Sequence, residues 1–225
     1  MAERVQIGDR HFLTVPPHRF TDEAGRLGEG DIIERHWHVQ EGDVVVDVGA
    51  CEGLWTLPSC ALGAFVYAVE PNIPSCAVID RLLALNGFSG RCHVVNAALS
   101  DAAGKHPADL RACCDPYFMG VPRITTLDDM VRDLRIPKVD WIKVDVEGGE
   151  LLVVEGGAAT LRRDRPVVVV EDHSDIPLFA GYCAAHRTRA RIREILEGMA
   201  YVVADEPFDN RSFIIGRPGR VGAST

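Results

Sequence analysis

The chain has 225 residues, room for one α/β domain, and its 47% hydrophobic and 25% charged residues are globular values that exclude disorder and collagen-like repeats. Lys and Arg number 24 against 33 Asp and Glu, a net charge of −9. Such a field repels phosphate backbones and anionic lipid, so neither a nucleic acid nor a membrane is expected as a partner.

Along the chain, short β-branched runs alternate with amphipathic stretches. Residues 1–40 read as a helical lead-in, with Ile32, Ile33 and Trp37 spaced for one face, and 41–225 as a single domain. Val44–Val48 is a run of the kind buried on both sides of a sheet, and Phe65–Val69, His93–Ala97, Trp141–Val144 and Val167–Val170 repeat the pattern. Leu57–Val69, the longest apolar stretch, is interrupted by Pro58, Ser59 and Gly63 and is too short to cross a bilayer.

Pro74–Asn86 predicts a helix stopped by Gly87, and Thr126 an N-cap for the helix carrying Leu127, Met130, Val131 and Leu134. Gly149–Leu161 and His186–Met199 read as the next two helices. Ala200–Ala204 and Ser212–Ile215, flanking a turn at Pro207, Asp209 and Asn210, predict a closing antiparallel pair. Five β-then-α units and a hairpin amount to a doubly wound, mainly parallel sheet. Ala102–Arg123 is the least patterned segment, either a lid that could close Tyr117 and Phe118 over an acceptor or a disordered insertion.

The seven cysteines, adjacent Cys113 and Cys114 included, are odd in number and lack C-x-x-C spacing. That argues for reduced thiols in the cytoplasm, against a disulfide framework and against a zinc site. The N-terminus, charged from Glu3 onward, lacks the apolar core of a signal peptide.

The chemistry begins where the first long run ends, at Asp47-Val-Gly49-Ala50-Cys51-Glu-Gly53. Gly49 lets the backbone turn tightly and a ligand approach, and Gly53 opens a helix toward that ligand. Glu70 ends the next strand, twenty-one residues after Gly49, where a carboxylate can accept both ribose hydroxyls. An adenosine-containing ligand follows, either a nicotinamide dinucleotide or S-adenosylmethionine. The glycine spacing is not G-x-G-x-x-G and no second domain is visible, which favours the latter; Asp47 could then face its cationic end.

The blocks DVGACEGLWT, VYAVEPN, LNGF, VVNAALSD, TTLDDM, DWIKVDVEGGE and VVVVEDH, from Gly42 to Ser174, resemble the FkbM-type methyltransferases in kind and order. The resemblance implies a class I, Rossmann-like methyltransferase fold and methyl transfer from S-adenosyl-L-methionine, most often to a hydroxyl, here of a small molecule or sugar. It implies that Gly49, Ala50 and Gly53 line the methionine end, that Glu70 holds the ribose with Asn72 beside it, and that Asn96 and Ala97 border the adenine. Cys51 stands where the family usually has asparagine, a departure at a cofactor contact.

An alcohol is a poor nucleophile at neutral pH and needs a base or a metal. His173 is the first candidate for the base, since an unperturbed imidazole titrates near neutrality, with Asp145 and Glu171 as its catalytic neighbours. Asp145, Glu147 and Glu171 could instead gather a divalent metal such as magnesium, but the ligand set of related O-methyltransferases does not align, so no metal ligands are assigned. Lys143 is expected in an ion pair, and Glu150 either caps the following helix or takes part in catalysis. Arg187, Arg189, Arg191 and Arg193 form a basic run that pairs internally or meets an anionic substrate. An NAD-linked oxidoreductase and a non-catalytic nucleotide-binding relative are the alternatives. The acceptor and the oligomeric state are left open.

Overall fold

The structure is a computed structural model and describes residues 3–7, 10–14, 30–104, 123–208 and 211–219. In chain order its strands are β1 (Glu3–Ile7), β2 (Arg10–Thr14), β3 (Val44–Val48), β4 (Phe65–Val69), β5 (Cys92–Val95), β6 (Ala97–Leu99), β7 (Arg123–Thr125), β8 (Trp141–Val144), β9 (Val167–Asp172), β10 (Tyr201–Phe208) and β11 (Arg211–Pro218). The helices are α1 (Gly30–His36), α2 (Thr56–Ala61), α3 (Ile73–Leu85), α4 (Leu127–Asp133), α5 (Glu150–Gly156), α6 (Ala158–Asp164), α7 (Pro177–His186) and α8 (Thr188–Gly198).

Among the described residues, seven strands form one sheet in the order β10-β11-β9-β8-β3-β4-β5. β5, β4, β3, β8 and β9 run parallel, and β11 enters antiparallel between β9 and β10. This is the doubly wound sheet with a C-terminal antiparallel hairpin that the alternating runs predict. Chain order reverses at β3, and open α/β sheets bind their ligands beyond the strand ends at such a reversal.

The β-branched runs fill two cores because successive side chains point to opposite faces. Val45, Val169, Phe213 and Ile215 pack with Ile32 of α1, Leu57 of α2 and Ile79 of α3 on one face. Val46, Val168, Val170 and Ile214 pack with residues of α4, α5, α6 and α8 on the other. Trp37, just after α1, meets Trp55 and Trp141 edge-on with centroids 4.8 and 5.1 Å away, and its indole nitrogen donates to Ser59 Oγ.

Four expectations need correction. Among the described residues of the lead-in only α1 is helical, and β1 and β2 precede it as an antiparallel pair. Asn86, from the LNGF block, clamps that pair to α3 by accepting from Leu13 N–H and donating to Leu13 C=O. The third long strand stops at Val95, and Ala97–Leu99 leaves the large sheet to pair with β7. Gly149–Leu161 is two helices broken at Gly157, where a Cβ would come within 2.5 Å of Leu127 Cδ2. Pro207 lies inside β10 opposite Ser212, tolerated because β10 is the edge strand of the sheet among the described residues.

Thr126 caps α4 as expected, accepting from Asp129 N–H. The described cysteines, Cys51, Cys60, Cys76, Cys92 and Cys183, are in no disulfide. Among the described residues no helix is long and apolar enough to cross a membrane. Residues 105–122, which hold Cys113, Cys114, Tyr117, Phe118 and nearly all of the expected lid, lie outside the described residues.

Candidate active site

Each residue assigned to the site sits at or just beyond the C-terminal end of a parallel strand, except Asp47, inside β3. The β3 turn is pinned first. Gly49 and Ala50 N–H both donate to Val69 C=O at the end of β4, and Gly53 N–H donates to Ala50 C=O. Gly49 has φ +75°, and a Cβ there would lie 1.7 Å from the Asp145 carbonyl oxygen. The approach of the β8 end thus forbids a side chain at Gly49, a reason additional to the ligand approach expected from sequence. α2 begins at Thr56, so Gly53 (φ +92°) turns the chain three residues ahead of the helix rather than opening it.

Glu70 is 7% exposed, yet both its oxygens are engaged by the turn: Cys51 N–H donates to Oε2 at 2.9 Å and Asn72 N–H to Oε1 at 2.8 Å. Burial raises its pKa, and the two backbone hydrogen bonds oppose the rise. Each carboxylate oxygen keeps an acceptor position, which suits a pair of vicinal hydroxyls. Asn72 stands next to this carboxylate but spends its own side chain capping α3 through Ser75 N–H. Asn96 Nδ2 donates to the carbonyls of Glu70 and Pro71, so the amide nitrogen tethers the β4 turn while Oδ1 makes no hydrogen bond among the described residues. Ala50 and Ala97 are almost fully buried, at 2% and 1% exposure.

Asp47 does not reach the cleft. It is fully buried, accepts from Thr56 Oγ1 at 2.6 Å, and lies 3.4 Å from Lys143 Nζ. Lys143 donates to Gly49 C=O at 2.8 Å and stands 3.3 Å from Asp145 Oδ2. The expected ion pair is therefore a clip that holds the ends of β3 and β8 together from below. A one-residue step along a strand reverses the face, and that places Asp47 under the site rather than in it.

The second half of the site gathers around His173, which follows β9 and is 3% exposed. Its Nδ1 is 2.9 Å from Glu150 Oε1. Its Nε2 has Asp145 Oδ1 and Glu147 Oε2 at 3.6 Å and Glu171 Oε1 at 4.0 Å. Phe179 of α7 meets the ring edge-on at 5.6 Å. Burial lowers the imidazole pKa, but the Glu150 hydrogen bond and the charges of Glu150, Asp145 and Glu171 outweigh it and raise it to about 10. The base role expected of His173 rested on an ordinary imidazole pKa, whereas the surrounding carboxylates favour the protonated ring.

Glu150 is the residue whose partner sequence reasoning missed. It is fully buried and its Oε1 also accepts from Val146 and Gly148 N–H, so the Asp145–Glu150 loop folds around its carboxylate, with Glu147 and Gly148 both at positive φ. The signal was present in the two glycines of DVEGGE, which permit such a loop; the contact with His173 was not readable, since the two residues belong to different β-α units. The arginines of α8 and its N-terminus are paired, Arg187 with Glu194, Arg189 with Asp172 and Asp175, Arg191 with Glu194, and Arg193 with Asp205 and Glu197.

Comparison with known proteins shows the family and the fold. The model of the methyltransferase FkbM domain matches residues 47–203. Hexuronic acid methyltransferase AglP of Haloferax volcanii is 30% identical over 158 residues, which are 66% of this chain and 64% of that protein; the match thus spans a little under two thirds of the relative's length. Among solved structures, methyltransferase FkbM from Methylobacillus flagellatus superposes with a TM-score of 0.55 at 16% identity, covering 79% of this chain and 44% of that one. The O-methyltransferase TomG from Streptomyces achromogenes, solved in complex with S-adenosylmethionine, gives 0.52 at 12% identity, covering 80% and 74%. At these identities the structural likeness is one of fold.

Proposed function

Because the chain belongs to the FkbM methyltransferase family, we propose that it moves the methyl group of S-adenosylmethionine to a hydroxyl of a sugar or other small molecule. The observation that carries the cofactor assignment is Glu70, a buried carboxylate anchored by Cys51 and Asn72 N–H at the end of β4 with acceptor positions to spare. In this reading Glu70 accepts the two ribose hydroxyls, Asn96 Oδ1 accepts from the adenine amine, and the turn Gly49–Gly53 borders the methionine end. The hexuronic acid methyltransferase relative supports a sugar acceptor. Family membership leaves the nicotinamide alternative without support, and a cytoplasmic setting goes with described cysteines that are in no disulfide.

When bound, S-adenosylmethionine supplies a methyl group already activated on a sulfonium. The chain's residues then align the acceptor oxygen and take its proton as the new O–CH3 bond forms and the S–CH3 bond breaks. Asp145 is the proton acceptor in this reading: it directly follows β8 and its side chain keeps 22% exposure. His173 faces that carboxylate from 3.6 Å and positions it, Glu171 lies 4.0 Å from the same imidazole nitrogen, and Glu150 in turn fixes the imidazole.

The test is calorimetric titration with S-adenosylhomocysteine beside NAD. Binding of the homocysteine compound alone supports the reading, and binding of NAD alone overturns it. Binding with no methyl transfer to any sugar acid tried would support the non-catalytic relative instead. In Glu70→Gln the new amide turns a donor toward the N–H of Cys51 or Asn72, and S-adenosylhomocysteine affinity should fall by about 1–3 kcal/mol. Unchanged affinity would remove Glu70 from the ribose site.

A further inference from the structure

One nitrogen in the site is held in a fixed orientation with no hydrogen bond among the described residues. His173 is 97% buried, Nδ1 is tied to the carboxylate of Glu150, and Nε2 makes no hydrogen bond among the described residues. Three carboxylate oxygens face it from 3.6 to 4.0 Å, where a hydrogen bond would bring one of them to roughly 2.7–3.2 Å. Donor atoms that share one cation, each about 2.0–2.4 Å from it, stand apart by distances of this order. Asp145, Glu171 and His173 each offer one ligating atom, all within 4.8 Å of one another.

Two further features point the same way. A buried carboxylate on the far imidazole nitrogen is the arrangement that orients a metal-binding histidine and selects which nitrogen is offered. Glu150 is also fully buried, and its Oε2 has no hydrogen-bond partner among the described residues. A buried carboxylate oxygen left in that state is costly unless a donor or cation joins the cluster.

We propose that Asp145, Glu171 and His173 form a divalent-cation site, with Glu147 as an oxygen at its exposed side and Glu150 as the group that positions His173. Two carboxylates suit Mg2+ and Mn2+, the single imidazole favours Mn2+ of the two, and no described thiolate is in the set to select zinc or copper. The ion displaces the proton from Nε2. The sequence alone offers a divalent metal at Asp145, Glu147 and Glu171 without assigning ligands; the site proposed here puts His173 in the set and moves Glu147 to its edge. The ion's role, holding the acceptor hydroxyl and easing loss of its proton to a carboxylate of the cluster, rests on the methyl-transfer reading; its binding does not.

Chelator-treated protein titrated with Mn2+, with free ion read by electron paramagnetic resonance, tests the site without cofactor or acceptor. We expect a single Mn2+ per chain, displaced by excess Mg2+, and weakening of about tenfold or more in Asp145→Asn and in Glu171→Gln. Glu150→Gln should weaken binding about 10–100-fold as an outer partner of the histidine. Glu194→Gln, at an exposed position of α8, should change nothing. Asp145 is partly exposed, so its variant keeps the test decisive if the more buried ones unfold; circular dichroism checks each. No binding at millimolar Mn2+, or binding unchanged in Asp145→Asn, overturns the site. S-adenosylhomocysteine binding measured on the same chelated protein separates the two readings: its persistence with no Mn2+ site would sink the ion and leave the methyltransferase reading standing.

Discussion

At Cys51 the backbone turns through φ +51°, a left-handed conformation that asparagine and glycine adopt more readily than cysteine. The residue that the family usually carries there is therefore explained by backbone conformation, and the contact that matters, Cys51 N–H to Glu70, is independent of side chain. Cys51→Asn should stabilise the fold by roughly 0.5–1 kcal/mol, seen as a higher melting temperature, and leave S-adenosylhomocysteine affinity unchanged. A lower melting temperature would mean that the thiol makes a contact worth more than the strain. Glu70 was legible as an acceptor because its distance from Gly49 is a property of one β-α-β unit. Glu150 was not, because its partner lies on the next unit.

Helix glycines show why element boundaries were only partly readable. Gly156 and Gly181 both sit in helices, where alanine is ordinarily better by about 0.5–1 kcal/mol. A Cβ on Gly181 would meet nothing within 4 Å, whereas one on Gly156 would lie 2.1 Å from the Ser100 carbonyl oxygen. Gly181→Ala should therefore stabilise by that amount, and Gly156→Ala should destabilise by roughly 1–3 kcal/mol through forced displacement of the chain at Ser100. Chemical denaturation of the two variants measures both; a like sign would mean that propensity, not packing, governs these sites. The break at Gly157 has the same origin. The α6 N-terminus is capped from a distance, Asp128 of α4 accepting from Ala159 and Thr160 N–H, and no local pattern announces a cap supplied thirty-two residues away.

Across the molecule, α1 is tied to the C-terminal hairpin through His36, whose ring lies 3.3 Å from Glu206 and 3.1 Å from Arg217, while Arg35 also pairs with Glu206. Burial, with Arg217 and Arg35 assisting and Glu206 opposing, lowers the His36 pKa below its ordinary 6.5. The unfolded chain then binds more protons than the folded one below that pH, so stability contributed by His36 is present above 6.5 and lost as pH falls toward the lowered value. Wild type should lose more stability than His36→Gln between pH 7 and pH 5 in paired urea titrations. Equal losses would assign the acid sensitivity to other groups.

Much of this protein was decided by pattern alone. Continuous apolar runs at Val44, Phe65, Trp141 and Val167, separated by helical stretches, determine a doubly wound sheet, because each strand must bury both faces and each helix one. The glycine turn and Glu70 followed from spacing within a single unit. Only the tertiary structure decided that Asp47 lies under the site, that Gly49 is demanded by the Asp145 backbone, and that four carboxylates converge on His173. Those facts depend on which strand ends become neighbours when β8 and β9 line up beside β3. A charge's meaning is set by the other charges within a few ångströms, and residues a hundred positions apart meet only once the sheet has formed.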